Sequence, residues 1–141
     1  MAELACIDKL SWIVENAVVA IDGLGLILNE YSKHLRFEGA PGVGDLFFKH
    51  IFENQAVSAK CQVIEITLDP GEPTDFLEFP KTTDLRNFDK SDRKFVAVSL
   101  ASPDSPAIVN ATDSDWSEYA DPLAEIGIII EQLCPQHAER N

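Results

Sequence analysis

Ala17-Val18-Val19-Ala20-Ile21-Asp22-Gly23 is the stretch of sequence that decides the fold class. Its first five residues are apolar without interruption and three of them are β-branched, which is typical of a strand buried on both faces. Asp22-Gly23 then closes the strand, because both residue types favour turns. Strands covered on both faces occur in sheets that carry helices on either side, so the stretch predicts an α/β protein.

Helices and further strands alternate around this stretch. Apolar residues at helical spacing predict an amphipathic helix over residues 3–15. The same spacing, together with helix-start residues, predicts further helices at residues 24–35, from 46 to about 54, from 89, and from 113 to near 127. Short apolar or alternating runs predict strands at residues 61–68, 107–109 and 128–130. Residues 69–80 hold three prolines and several acids and are predicted to be an exposed connection.

This alternation predicts one three-layer α/β/α domain. Connections between parallel strands are right-handed and place helices on both faces of a mostly parallel central sheet. We expect the domain to occupy residues 1–135, with a polar C-terminal tail at residues 136–141. Ligands in such sheets bind beyond the carboxyl ends of the strands.

The composition is that of a soluble globular protein. The chain has 141 residues, of which 45% are apolar and 25% charged, and this is enough for the core of one domain. Its apolar runs fall short of the roughly 20 residues that cross a bilayer, and its acidic N-terminal residues do not resemble a signal peptide. Cys6, Cys61 and Cys134 are odd in number and far apart, which indicates reduced thiols and a cytoplasmic location.

The formal net charge of −13 argues against nucleic-acid binding through the overall field of the protein. The charge is uneven, however, because five of the eleven basic residues lie between Lys81 and Lys94. If the protein handles RNA, metal ions and this segment must supply the attraction. The alternative is a solvated surface of mixed charge that keeps the protein soluble.

Acidic side chains fall where such a fold would place a ligand. Asp22 follows the first recognisable strand, and Asp113 and Asp115 follow the third. Asp89 and Asp92 open the helix that precedes the third strand. Carboxylates that converge repel one another unless a cation joins them, and Mg²⁺ prefers an all-oxygen environment. One interpretation of these acids is therefore a bound metal that activates water.

A structural interpretation accounts for the same acids. Asp89 or Ser91 suits the N-cap of a helix, and Asp92 suits its first turn, where the helix dipole favours negative charge. The acids after the third strand suit a turn and a cap in the same way. Glu30 lies at the edge of the apolar stripe of its helix, where a salt link to Lys33 or His34 would explain it.

Three short motifs follow one another along the chain: Glu30-Tyr31-x-x-x-Leu35, Asp89-Lys90-Ser91-Asp92 with small and apolar residues behind it, and Thr112-Asp113-Ser114-Asp115-Trp116. In this order and spacing they resemble the PIN-domain superfamily of metal-dependent nucleases, over about residues 4–135. Pro41-Gly42-Val43-Gly44-Asp45 and the closing Leu133-Cys134-Pro135 are similar to one bacterial subgroup of uncharacterised proteins.

The resemblance implies a site, a cofactor and a reaction. Glu30, Asp92 and Asp113 would be the catalytic residues and metal ligands, and Asp89 and Asp115 would be supporting ligands. The cofactor would be Mg²⁺ or Mn²⁺, and the reaction would be hydrolysis of an RNA phosphodiester by a metal-activated water. The implied partners are an RNA substrate and an antitoxin-like protein or a second copy of the chain, with no membrane.

The N-terminal region departs from the family pattern. Members usually open with a central strand that ends in an aspartate, whereas this chain starts in a predicted helix. Either Asp22 is that aspartate, or residues 17–21 are the second strand and the usual first strand is absent. Seven residues separate Asp22 from Glu30, too few for the helix that normally lies between the two acids, which favours the second account.

An absent central strand would leave its two neighbours without backbone partners. Each buried N–H or C=O left unpaired costs about 1–3 kcal/mol, so such a fold should be marginal or depend on a partner that donates a strand. The chain would then be a truncated or inactive form of a nuclease. The alternative is a non-catalytic PIN-like interaction module whose acids are structural.

Overall fold

The computed structural model describes residues 2–33, 43–110 and 114–133. The helices are α1 (Ala2–Asn16), α2 (Leu26–Ser32), α3 (Val43–Glu53), α4 (Arg93–Ala101), α5 (Asp115–Glu118) and α6 (Ala120–Glu125). The strands are β1 (Val19–Asp22), β2 (Cys61–Ile64), β3 (Leu68–Asp69), β4 (Glu72–Phe76), β5 (Ile108–Asn110) and β6 (Ile130–Gln132). Two 3-10 turns, Thr83–Leu85 and Lys90–Asp92, precede α4.

The described strands form three two-stranded sheets. β1 pairs in parallel with β2, with Val19 opposite Cys61, and β5 pairs in parallel with β6, with Ile108 opposite Ile130. β3 and β4 form an antiparallel hairpin with an irregular register. The protein thus mixes helices with small parallel sheets, which is compatible with the predicted α/β class. Within the described residues, β1 is not hydrogen-bonded to β5, so the two parallel pairs remain separate.

Local sequence patterns predicted several elements close to where the structure has them. The helix predicted over residues 3–15 is α1, and the apolar run at residues 17–21 is β1, shifted by about two residues. The Asp89-Lys90-Ser91-Asp92 segment does begin a helix, because Asp89 caps the 3-10 turn that leads into α4. The predicted helix from residue 113 to 127 is instead two short helices, α5 and α6.

The prediction of an exposed connection over residues 69–80 is wrong. This segment contains β4, and Asp75, Phe76 and Phe79 are all buried. The two phenylalanines supply enough apolar surface to hold the segment against the core. The prolines and acids suggested exposure, but the charge of Asp75 is balanced by the buried Arg93, whose Nη1 lies 2.8 Å from Asp75 Oδ2.

Arg93 organises the irregular chain between β4 and α4. Its guanidinium donates hydrogen bonds to the carbonyl oxygens of Leu85, Arg86 and Phe88, in addition to Asp75. It also stacks over the Phe79 ring at 4.5 Å from the ring centroid. A planar, permanently charged group with several donors is well suited to satisfy carbonyls that no regular strand or helix pairs.

Helix α4 is the centre of the described core. It packs against β1, β4 and β5, and Val96, Ala97 and Val98 on it are buried. An aromatic cluster covers its first turns, with Phe88 stacked on Phe79 at 5.9 Å and edge-on to Trp116 at 5.2 Å between ring centroids. The start of α4 is therefore held by apolar packing as well as by the Asp75–Arg93 pair.

In the part of the chain that the structure describes, no helix is both long and apolar enough to cross a membrane.

Candidate carboxylate site

Asp22 is a buried helix cap. It ends β1 with only 2% of its surface exposed, and both carboxylate oxygens accept backbone hydrogen bonds from the start of α2. The Leu26 N–H donates to Oδ2 at 2.9 Å and the Ile27 N–H donates to Oδ1 at 2.8 Å. Gly25 makes this possible with φ +81°, a left-handed conformation that side chains disfavour. This arrangement gives Asp22 a structural role.

Glu30 is held by a lysine from the far side of the sequence. The Lys94 ammonium lies 3.1 Å from Glu30 Oε1, although 64 residues separate the two along the chain. Lys94 is also hydrogen-bonded to the Ser91 carbonyl oxygen. The side chains of Lys94 and Glu30 are 10% and 32% exposed. One ammonium group thus joins α2 to the 3-10 turn Lys90–Asp92. This turn contains Asp92 and is capped by Asp89.

The two acids of this turn differ in their surroundings. Asp89 Oδ1 accepts hydrogen bonds from the Ser91 N–H and the Ser91 hydroxyl, both at 2.9 Å. These two hydrogen bonds, the backbone one first, lower the pKa of Asp89 below its usual value. Asp92 is half-buried at the start of α4. The cap predicted for Asp89 is therefore confirmed.

The third predicted stretch of acids is described only in part. Asp113 lies outside the described residues, and Asp115 begins α5 with only its backbone described. Trp116, the next residue, packs edge-on against Phe88 and Phe95, with ring centroids 5.2 Å and 6.5 Å away. These phenylalanines precede and follow the 3-10 turn in the sequence, so Trp116 contacts both of the segments that the turn joins.

Side-chain contacts therefore connect two of the three stretches, because Lys94 joins Glu30 of α2 to the turn before α4. The start of α5 contacts residues before and after that turn through the Trp116 ring. The acids of the three stretches carry only oxygen donors, the ligand type that Mg²⁺ and Mn²⁺ prefer. Among the side chains that the structure describes, no three His, Cys, Asp or Glu are placed to hold a metal ion. Asp113 and the Asp115 side chain would have to complete such a site.

Tyr31, the neighbour of Glu30 in the predicted motif, anchors α2. Its ring meets Phe47 of α3 edge-on at 5.8 Å between centroids. Burial, with smaller contributions from Cys61 and Glu30, raises the pKa of Tyr31 to about 12. The hydroxyl therefore stays protonated at neutral pH.

The basic segment between Lys81 and Lys94 is largely neutralised by acids. Lys81 lies 2.9 Å from Asp69 and 3.0 Å from Asp75, and Lys90 lies 3.6 Å from Glu72. Arg93 and Lys94 are buried in the pairs already described. This segment offers little free positive charge to a nucleic acid, which the sequence alone does not reveal because the partners come from other elements.

Comparison with protein-family models found no matching family, and comparisons with curated proteins and with solved structures found no match either.

Proposed function

We propose that this chain is a Mg²⁺- or Mn²⁺-dependent ribonuclease with a three-layer PIN-like fold, acting on RNA in the cytoplasm. The observation that supports the proposal is the link from Glu30 through Lys94 to the Lys90–Asp92 turn, because it brings two of the three predicted acidic stretches together. The packing of Trp116 against Phe88 and Phe95, which precede and follow that turn in the sequence, supports the inclusion of the third stretch. An antitoxin-like protein or a second copy of the chain is the proposed partner.

In this proposal Glu30, Asp92 and Asp113 hold the metal, and Asp89 and Asp115 support them. Bound there, the ion supplies an activated water and neutralises charge on the phosphate. The residues of the chain orient these groups. Lys94 holds the Glu30 carboxylate in position, and Asp22 fixes the start of the helix that carries Glu30.

The net charge of the protein limits its attraction for RNA. With a formal charge of −13, it repels a phosphate backbone through most of its surface. Lys94 adds little free positive charge at the carboxylates, because its ammonium is paired with Glu30. In this proposal the bound metal would therefore supply the local attraction for the scissile phosphate.

Cleavage of a fluorogenic single-stranded RNA in the presence of Mn²⁺ or Mg²⁺ tests the proposal. Asp92→Asn and Asp113→Asn should each lower the rate by about 10²-fold or more, since positioning and activating a nucleophilic water is commonly worth that much. Glu125→Gln, which neutralises an exposed acid on α6, is the matched control and should cleave like the wild type. Equal rates in the wild type and both aspartate variants would contradict the site, as would the absence of any metal-dependent cleavage.

A second candidate function is a non-catalytic interaction module. The observation that favours it is the same Glu30–Lys94 pair, because an ammonium already balances the charge that a metal would balance. The capping roles of Asp22 and Asp89 favour it as well. This candidate predicts a melting temperature that does not respond to Mn²⁺ and a stability that is unchanged by Asp113→Asn. If the protein has a metal site, Mn²⁺ at 100 times its dissociation constant would instead raise the free energy of unfolding by about 2.7 kcal/mol.

A further inference from the structure

An apolar cavity of about 580 Å³ lies between the two parallel sheets. Residues of β1 and its approach, Val18 to Ala20, line one side, and residues of β5 and its approach, Ala107 to Val109, line the other. Helix α4 contributes Phe95 and Val98, and α1 contributes residues that include Trp12. Trp12 is 52% exposed and Val18 47% exposed, so the mouth of the cavity presents apolar surface to solvent.

The hydrogen-bond pattern shows which backbone groups point into this cavity. On β1, the Val19 N–H donates to the Lys60 carbonyl and the Gly23 N–H donates to the Ile64 carbonyl. The backbone N–H and C=O groups of odd-numbered residues therefore point towards β2. On β5, the Ile108 N–H donates to the Ile129 carbonyl, and the Asn110 carbonyl accepts a hydrogen bond from the Leu133 N–H. The backbone N–H and C=O groups of even-numbered residues therefore point towards β6. Backbone groups of neighbouring residues in a strand point to opposite sides.

Ala20 on β1 and Val109 on β5 therefore direct their N–H and C=O groups away from their paired strands. Neither residue has a backbone partner on that side among the described residues. Both line the cavity between the sheets. Two unpaired strand edges on opposite sides of one apolar cavity form a site for a strand that could pair with both.

We propose that this cavity binds an extended apolar strand of a partner protein, which pairs with β1 on one side and β5 on the other. About four residues would be inserted, because β1 itself is four residues long. Helices line the cavity as well, so the inserted strand would be covered on both faces and should be apolar at successive positions. This inference does not depend on the proposed ribonuclease activity.

Hydrogen bonding and charge argue for a strand from a different protein. A small apolar ligand would fill the cavity but leave the Ala20 and Val109 backbone groups without partners. A second copy of this chain would bring its own charge of −13 to the cavity, and this repulsion disfavours it as the donor of this particular strand. A partner strand flanked by lysine or arginine would be attracted. The expected occupant is therefore an apolar strand with basic residues at its ends.

A synthetic peptide with the central sequence Val-Ile-Val-Leu and two lysines at each end is the direct probe. Binding should shift Trp12 fluorescence to shorter wavelength, since this exposed indole would be covered, and Trp12→Phe should remove the shift without removing binding. The melting temperature should rise as peptide is added. The matched control peptide has proline in place of the central isoleucine and should bind at least tenfold more weakly, because proline lacks the N–H needed for pairing.

Ala20→Pro tests the protein side of the same hydrogen bonds. The substitution removes an N–H that faces the cavity and leaves the β1–β2 bonds in place. It should weaken binding of the apolar peptide at least tenfold. If this variant does not fold, the comparison of the apolar peptide with the proline peptide still tests whether backbone pairing is needed. Equal binding of the two peptides would overturn the proposal, since side-chain burial alone would then explain it. So would failure of the apolar peptide to bind, or a dimer of the chain that the peptide does not displace.

Discussion

Replacing Asp75 by alanine should lower the free energy of unfolding by about 3–5 kcal/mol, because Arg93 would be left buried without its carboxylate. The side chains of Asp75 and Arg93 are 5% and 6% exposed, and their closest atoms are 2.8 Å apart. The neighbouring Lys81 cannot replace the carboxylate, and the carbonyls that Arg93 contacts carry no charge. This loss is a large part of the 5–15 kcal/mol that stabilises an ordinary domain.

Urea denaturation followed by circular dichroism measures this loss directly. Asp69→Ala is the matched control, because Asp69 shares Lys81 with Asp75 but its described ion pair does not include Arg93. We expect Asp69→Ala to change the unfolding midpoint far less. The double variant Asp75→Ala/Arg93→Met should recover part of the lost stability, since it removes the uncompensated charge. A loss below about 1 kcal/mol in Asp75→Ala, the size of an average substitution, would refute the role given to the pair.

Three further outcomes follow from the described contacts. Burial acts to raise the pKa of Asp75, but the Lys81 and Phe76 hydrogen bonds and the charge of Arg93 outweigh it and lower the pKa. Its contribution to stability is therefore present above the unfolded pKa of about 3.9 and lost as pH falls through the folded value. As the pH is lowered, the urea concentration at the unfolding midpoint should fall less steeply in Asp75→Asn than in the wild type. Gly127→Ala should cost about 1–2 kcal/mol, measured by thermal unfolding, because Gly127 has φ +90°. Burial raises the pKa of the Cys61 thiol, so mass spectrometry after brief alkylation should show Cys6 modified before Cys61.

Local patterns in the sequence are enough to predict the elements that depend on local interactions. Helix α1 and strand β1 follow from the spacing of apolar residues, and the cap at Asp89 follows from residues two positions apart. In each case the signal and its cause lie within a few residues of one another. This is also why the α/β class could be predicted while the arrangement of the strands into separate pairs could not.

The remaining features depend on pairs that are distant along the chain. Asp75 is buried because Arg93, 18 residues later, balances its charge, and nothing near Asp75 indicates this. A salt link to Lys33 or His34 is the structural interpretation of Glu30 that its own helix offers, and nothing near Glu30 indicates that Lys94, 64 residues away, is also a partner. The three acidic motifs predict a shared site, but only coordinates reveal that a lysine, Lys94, contacts Glu30.

Arg93 ties the irregular segment between β4 and α4 to the core through several hydrogen bonds that share one guanidinium. Its guanidinium bonds to Leu85, Arg86, Phe88 and Asp75, yet its own backbone belongs to α4. Such a segment cannot loosen by itself, since the bonds that order it end on a helix in the centre of the core. We therefore expect its amide protons to exchange with solvent, and its peptide bonds to yield to proteases, only in the rare openings that also unfold α4.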